Sequence, residues 1–295
     1  MNRSAAKIKP ITLDELLGTN KVDLNENMNG VSEVPLEQLY PFRNHPFQVK
    51  DDDKMAETVD SIKTSGILVP GIVRPRRAGG YEIIAGHRRF RGAQLAGLHS
   101  MPVIIKNLSD AEATVIMVDS NIQREDLTYR EKAFAYRMKY EALKELGLDE
   151  KETGKRLDEA FAEKIGESRS KVQRYIRLTY LNEELLDMVD EKKLGFIAAT
   201  DISYLLQDEQ SMLLKVMQDK QAVPSGMQAI SLKEYSKEGK LNETVIELLL
   251  QQEKQSGQLV IKAKRLRTYF PDSYNLKAME EVIFRLLDDW KQNQV

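Results

Sequence analysis

The chain has 295 residues, 41% apolar and 31% charged, with a formal net charge of −2, a composition that suits several modest cores. There is no cysteine, which excludes disulfides and thiolate metal sites, and the three histidines, His45, His87 and His99, are too scattered for a metal cage. No apolar run approaches the roughly 20 residues of a membrane helix, and the start MNRSAAKIKPITLDELL has no apolar secretion core, so a cytoplasmic protein without membrane contact is expected.

Residues 1–30 read as a polar tail with a short apolar patch at Ile11, Leu13, Leu16 and Leu17. Met55, Val59 and Ile62 then recur at helical spacing, and Gly66 is placed to end that helix. Ile67-Leu68-Val69 and Gly71-Ile72-Val73 flank Pro70 and read as extended. Gly79-Gly80 marks a turn, and Tyr81 to Ala85 a strand broken by Gly86. Phe90, Gln94, Leu95 and Leu98 mark a helix, and Pro102 to Ile105 another strand. Ser109 with Glu112 forms a capping box for a helix through Met117. Residues 31–122 are therefore expected to be an α+β domain.

From residue 123 the signals turn helical. Thr128 with Glu131 opens a long helix ending near Gly147, and further helices run to about Met217, which gives a helical domain over 123–220. Pro224-Ser225-Gly226 and its polar surroundings predict a linker at 221–240. A last domain, 241–295, would hold a helix over Leu241 to Gln252 and an extended stretch over Gln258 to Phe270. Its final helix carries the stripe Leu276, Met279, Val282, Ile283, Leu286, Leu287 and Trp290. That stripe suits either a dimer contact or a helix folded back on its own chain.

The near-neutral net charge conceals two basic stretches. Arg169 to Arg177 carries Arg169, Lys171, Arg174 and Arg177 with no acid. It lies in AFAEKIGESRSKVQRYIRL, which has helix-turn-helix spacing. Small Ala162 lets two helices approach, Gly166 permits the positive φ of the turn, and Ile165, Val172 and Tyr175 fall on the buried side. Ser168 caps the second helix. Ser168, Arg169, Ser170, Lys171, Gln173, Arg174 and Arg177 are then the candidate DNA-binding residues, Gln and Arg to read base edges and Lys and Ser to hold phosphates. The plainer reading is a helical hairpin with a solvated basic face.

The second stretch, Arg74 to Arg91, has six arginines against Glu82 alone. Within it Gly86-His87-Arg88-Arg89-Phe90-Arg91 follows a strand and opens a helix, where free N–H groups and a positive dipole end suit an anion. Arg88, Arg89 and Arg91 would supply forked donors to phosphate oxygens. Three arginines so close repel one another, so an anion is expected between them. The alternative is a basic patch that touches DNA phosphates directly.

Three boxes in order resemble the ParB/RepB partition family. They are SGILVPGIVR from Ser65 to Arg74, YEIIAGHRRFRGAQLAGL from Tyr81 to Leu98, and SNIQREDLT from Ser120 to Thr128, followed by the helix-turn-helix. The resemblance covers about residues 31–215. It implies a sulfiredoxin-like N-terminal domain binding CTP with Mg2+, and a homodimer on a palindromic, centromere-like site in double-stranded DNA. It further implies a CTP-controlled sliding clamp, slow CTP hydrolysis and a ParA-type ATPase partner, in a nucleoid-associated protein that segregates plasmid or chromosome copies. Basic residues of the tail, Arg3, Lys7 and Lys9, would then stimulate that ATPase.

Carried over by residue, Gly66 to Pro70 would lie near the nucleoside, and Gly86, His87, Arg88, Arg89 and Arg91 near the triphosphate. Asn121 would serve both nucleotide and metal. Two departures stand out: His87 and Ser120 replace the family's glutamates, and Asp119 or Glu125 would have to make up the lost carboxylate at the metal. A helix-turn-helix transcription regulator without a nucleotide switch is the alternative, and an enzyme built on a similar arginine box is a third reading.

Overall fold

The computed structural model describes residues 30–124, 126–147, 156–251, 263–271 and 273–292. The chain divides into two units, 1–250 and 251–295. Most of the predicted tail, with Arg3, Lys7 and Lys9, lies outside the described residues, as does Glu125.

The first unit opens with β1 (Val31–Pro35) and β2 (Leu39–Pro41), then α1 (Asp53–Ser65), β3 (Gly71–Pro75), β4 (Tyr81–Ala85), α2 (His87–Leu95), β5 (Ser100–Ile105) and α3 (Asp110–Asp119). The strands form one sheet in the order β1-β5-β3-β4-β2. The β3–β4 hairpin turns at Gly79 and Gly80, both with positive φ. Ile83 and Ile84 are neighbours on β4 and point to opposite faces, yet both are fully buried. Ile83 packs with Val34, Leu39, Val73, Met101 and Val103. Ile84 joins a larger core that runs through Val115 and Met117 of α3 into the helices beyond.

Those helices are α4 (Tyr129–Glu145), α5 (Leu157–Lys164), α6 (Arg169–Leu178), α7 (Glu183–Asp190), α8 (Phe196–Ile202), α9 (Gln207–Lys220), α10 (Gly226–Lys237) and α11 (Glu243–Gln251). Both capping boxes form as the sequence predicts, Ser109 with Glu112 and Thr128 with Glu131. The α+β class is as expected: a sheet domain followed by a helical one.

Three expectations are corrected. The predicted linker at 221–240 is largely helix α10. Its Pro224-Ser225-Gly226 is a helix start, with Ser225 accepting from the Gln228 amide and Gln228 reaching back. Ala229 and Leu232 are buried, and Lys233 pairs with Asp201 at 2.9 Å. Helix α11 buries Ile246, Leu249 and Leu250 in the same core, so the unit boundary falls at its last residue, after Leu250, rather than at residue 241. Ile67 to Val69 is irregular, and Leu68 and Val69 are exposed. Pro70 has no N–H for a ladder, and the carbonyls of Val69 and Pro70 are taken by Arg89.

In the second unit, the stretch read as extended includes a helical turn, α12 (Ala263–Leu266); residues 258–262 lie outside the described residues. Helix α13 (Leu276–Gln292) is capped by Asn275, whose side chain accepts from the Ala278 amide. It exposes Leu276, Phe284, Leu286, Leu287 and Trp290. Among the described residues, no helix is long and apolar enough to cross a membrane.

Candidate functional site

Two surfaces gather the chemistry. The first lies where β4 hands over to α2. Gly86 sits in the left-handed region with φ 110° and has no side chain with which to cap the helix. The first amides of α2 therefore lack a capping side chain, at the positive end of the helix dipole. A Cβ at Gly86 would lie 3.3 Å from the Gly71 backbone and 3.2 Å from the Arg89 guanidinium, so this close approach requires glycine.

Arg89 donates to the carbonyls of Val69 and Pro70, the latter at 2.7 Å. It thereby ties the Gly66–Pro70 loop to α2 and brings together three sequence-predicted elements: that loop, Gly86 and Arg89. The flanking arginines have other partners. Arg88 pairs with Asp52 at 3.2 Å and Arg91 with Asp51 at 2.6 Å. Hydrogen bonds from these arginines hold both carboxyls below the usual range. The repulsion among the three arginines is therefore relieved by two aspartates and two carbonyls of the chain itself, which removes the need for an anion between them. The aspartates come from 36 and 40 residues away, so the sequence spacing carries no hint of them.

His87 faces inward. It is buried, accepts from the Phe42 amide through Nε2 at 3.4 Å, and lies 4.0 Å from the His45 ring. Its predicted role as a phosphate neighbour is corrected: burial, then the neighbouring His45, pushes its pKa down to about 3, so it is neutral and committed to the core. The unfolded chain takes up a proton near pH 6.5 that the folded chain refuses. Stability is thus full above pH 6.5 and drops as pH falls toward 3, by about 2 kcal/mol at pH 5. Urea unfolding at pH 7 and pH 5 should show that loss, and His87→Leu should shrink it.

Asn121 donates from Nδ2 to the Met117 carbonyl and to Ser120 Oγ, and Ser120 donates to that same carbonyl. Both side chains close the end of α3. Asp119 pairs with buried Lys139. Among the described residues no three His, Cys, Asp or Glu side chains cluster as a metal site. With Asp119 committed to a cation and Ser120 and Asn121 to a helix end, these residues do not fit a protein-held magnesium ion.

The second surface is α5–turn–α6. Gly166 has φ 70°, Ala162 is buried, Val172 and Tyr175 pack inward, and Ser168 accepts from the Lys171 amide. The spacing read from sequence is thus realised. Ser170, Lys171, Gln173 and Arg174 are exposed. Lys171 pairs with Glu167 one turn back, whereas Arg174 has no side-chain partner among the described residues. Arg177 departs from the expected outward face. It donates to the Ser203 carbonyl at 2.7 Å and stacks between the rings of Tyr180 and Tyr204, at 4.4 and 4.0 Å. Sequence reasoning missed Asp158, a buried carboxylate of α5 that accepts from both Arg169 and Gln173.

The family model of the ParB N-terminal domain matches residues 20–122, and that of the ParB HTH domain matches 125–231. The chain is 37% identical over 161 residues to the chromosome-partitioning protein Spo0J of Thermus thermophilus, covering 55% of each. It is 34% identical over 191 residues to a nucleoid occlusion protein of Listeria monocytogenes, covering 65% of this chain and 63% of that protein. It thus spans little more than half to under two thirds of these relatives. A crystal structure of C-terminally truncated ParB from Caulobacter crescentus complexed with CTP-gamma-S is 32% identical, with 59% of this chain and 92% of that chain covered and a TM-score of 0.31. Two ParB domain models, adjacent and in order over the sheet domain and the helix-turn-helix, leave one conclusion: the chain belongs to the ParB family.

Proposed function

We propose that this chain is a sequence-specific DNA-binding partition protein that reads a palindromic, centromere-like site with α6 and is controlled by CTP bound at the amino end of α2. The observation that carries the DNA reading is the two-sided build of α6. Val172, Tyr175 and Leu178 lock one side into the core, while Ser170, Lys171, Gln173 and Arg174 stand out on the other. Fluorescence anisotropy on a duplex selected by the chain from randomised DNA, and on a scrambled duplex, tests it. Arg174→Ala should weaken the selected duplex about tenfold, as loss of one base-edge contact does, and the scrambled duplex far less. Equal loss on both would remove α6 from base reading.

Support for the nucleotide reading comes from the uncapped α2 start, Gly86 and the Arg89-tied loop; the CTP-gamma-S complex of the Caulobacter ParB suggests which nucleotide to try. Gly66, Pro70, Gly86, Arg88, Arg89 and Arg91 are proposed to contact it, with Arg88 and Arg91 exchanging Asp52 and Asp51 for phosphate oxygens. Titration of the four nucleoside triphosphates with and without the selected duplex and Mg2+ tests it; equal affinities for all four would defeat CTP selectivity. The metal is given no step, because among the described residues no cluster of donors fits one. A transcription regulator without a switch is the second reading, favoured by the pairing of Arg88 and Arg91 with the chain's own aspartates.

We further assign residues 31–122 to nucleotide binding, 123–250 to DNA binding and the last unit to homodimerisation, with a ParA-type ATPase as partner. Removing residues 276–295 should convert dimers to monomers by light scattering, because the exposed apolar side of α13 would be lost; persistent dimers would place the contact elsewhere.

A further inference from the structure

Asp158 lies on the first helix of the pair, yet its chemistry is directed at the second. Its carboxylate is buried, and one oxygen, Oδ2, accepts both Arg169 Nε at 2.7 Å and Gln173 Nε2 at 2.5 Å. The other oxygen, Oδ1, has Arg156 Nε at 3.4 Å but no hydrogen bond. Arg169 and Gln173 are four residues apart on α6, so they share a face one turn apart. A single buried acceptor thus holds two of the side chains that stand at the DNA-facing side of the helix.

A carboxylate accepts and does not donate, so only the NH2 side of the Gln173 amide can face it. Gln173 Oε1 is therefore turned away from Asp158. One of its two N–H bonds is used and the other stays available. Likewise Arg169 spends Nε on Asp158 and keeps both terminal nitrogens. A free glutamine at this position could present its amide in either sense and would read base edges with little discrimination. Held in one sense, it presents an acceptor and a donor in a set order, which is what separates adenine from other bases in the major groove.

We propose that Asp158 is a specificity-setting positioning residue: it fixes the sense of the Gln173 amide and the direction of Arg169 before DNA arrives, and so sets which base the recognition helix prefers. This rests on the reading of α6 as the DNA-reading helix. The carboxylate itself contacts no base. Its negative charge, close to a phosphate-facing helix, opposes nonspecific binding, and Arg156 and Arg169 offset it.

The test is Asp158→Asn in the full chain. Asparagine is nearly isosteric but can offer either an acceptor or a donor, so the Gln173 amide loses its imposed sense. The wild-type chain first selects its preferred duplex from randomised DNA; failure to recover any site would sink the reading of α6 rather than the role of Asp158. Given a site, D158N should bind it about tenfold more weakly, bind the scrambled duplex as well as wild type or better, and show a flattened base preference at one position of each half-site. Gln173→Ala should flatten the same position, and adding D158N to Q173A should change that position no further. A purely structural role would instead weaken both duplexes together and lower the melting temperature. An unchanged preference profile in folded D158N overturns the proposal. If D158N does not fold, Asp158→Glu carries the test: it keeps the charge but moves the oxygen along by a methylene, and an unchanged profile there overturns the proposal equally.

Discussion

Arg89→Ala should weaken nucleotide binding by about 100-fold or more while leaving affinity for the selected DNA duplex within about twofold. Arg89 is half-buried and donates to the Gly66–Pro70 loop, and burial lowers its pKa. Nη1 is engaged by the Val69 and Pro70 carbonyls, which leaves Nε and Nη2 for a ligand at the α2 amino end. Two charge-assisted bonds to a phosphate are worth about 3–6 kcal/mol together, and each 1.4 kcal/mol is tenfold in affinity. The alanine variant also frees the loop that Arg89 ties down, which adds to the loss. Arg89→Lys keeps the charge but has one nitrogen in place of a planar fork, so it cannot aim separate nitrogens at the loop carbonyls and at a phosphate and should recover only part of the affinity. Isothermal titration with each nucleotide gives the first number and anisotropy the second. If DNA affinity falls and nucleotide affinity does not, the arginine box touches DNA directly.

Lys139→Ala should destabilise the first unit by about 3–5 kcal/mol, the usual result of removing one partner from a buried ion pair. Lys139 is fully buried on α4 and pairs with Asp119 at the end of α3; its ammonium also lies 4.9 Å from the centre of the Phe161 ring on α5. It therefore joins the sheet domain to the first helix of the helix-turn-helix. Without it the Asp119 carboxylate, whose side chain is only 15% exposed, loses a cation. Lys139→Met combined with Asp119→Leu removes both charges and should regain most of the stability, because a buried pair contributes little beyond an apolar pair of similar size. Thermal and urea unfolding of the three proteins gives the comparison. A loss under 1 kcal/mol for Lys139→Ala would mean that solvent or another group satisfies Asp119.

Local chemistry was legible wherever one short segment decides the outcome. The capping boxes at Ser109 and Thr128, the helix stop at Gly66, the hairpin turn at Gly79-Gly80 and the spacing of Ala162, Gly166 and Val172 depend on backbone geometry within a few residues, and all appear as read. Pro224-Ser225-Gly226 was misread because the same residues that mark a linker also start a helix. What separates the two is whether Ala229 and Leu232 find a core to enter, and that is a long-range fact.

The two candidate sites divide along the same line. The sequence by itself determined that a glycine would open α2, that a basic helix would follow a tight turn, and that Ser168 would cap it. Only the tertiary structure decided what each charge on those helices does. It set Asp51 and Asp52 against Arg91 and Arg88, turned His87 into the core against His45, drew Arg177 between Tyr180 and Tyr204, and placed Asp158 under Arg169 and Gln173. The physical reason is reach. A cap or a turn closes over three or four residues, whereas a charge is satisfied by whichever opposite group the fold brings within about 3 Å, and all of these partners except Tyr180 lie from 11 to 42 residues away.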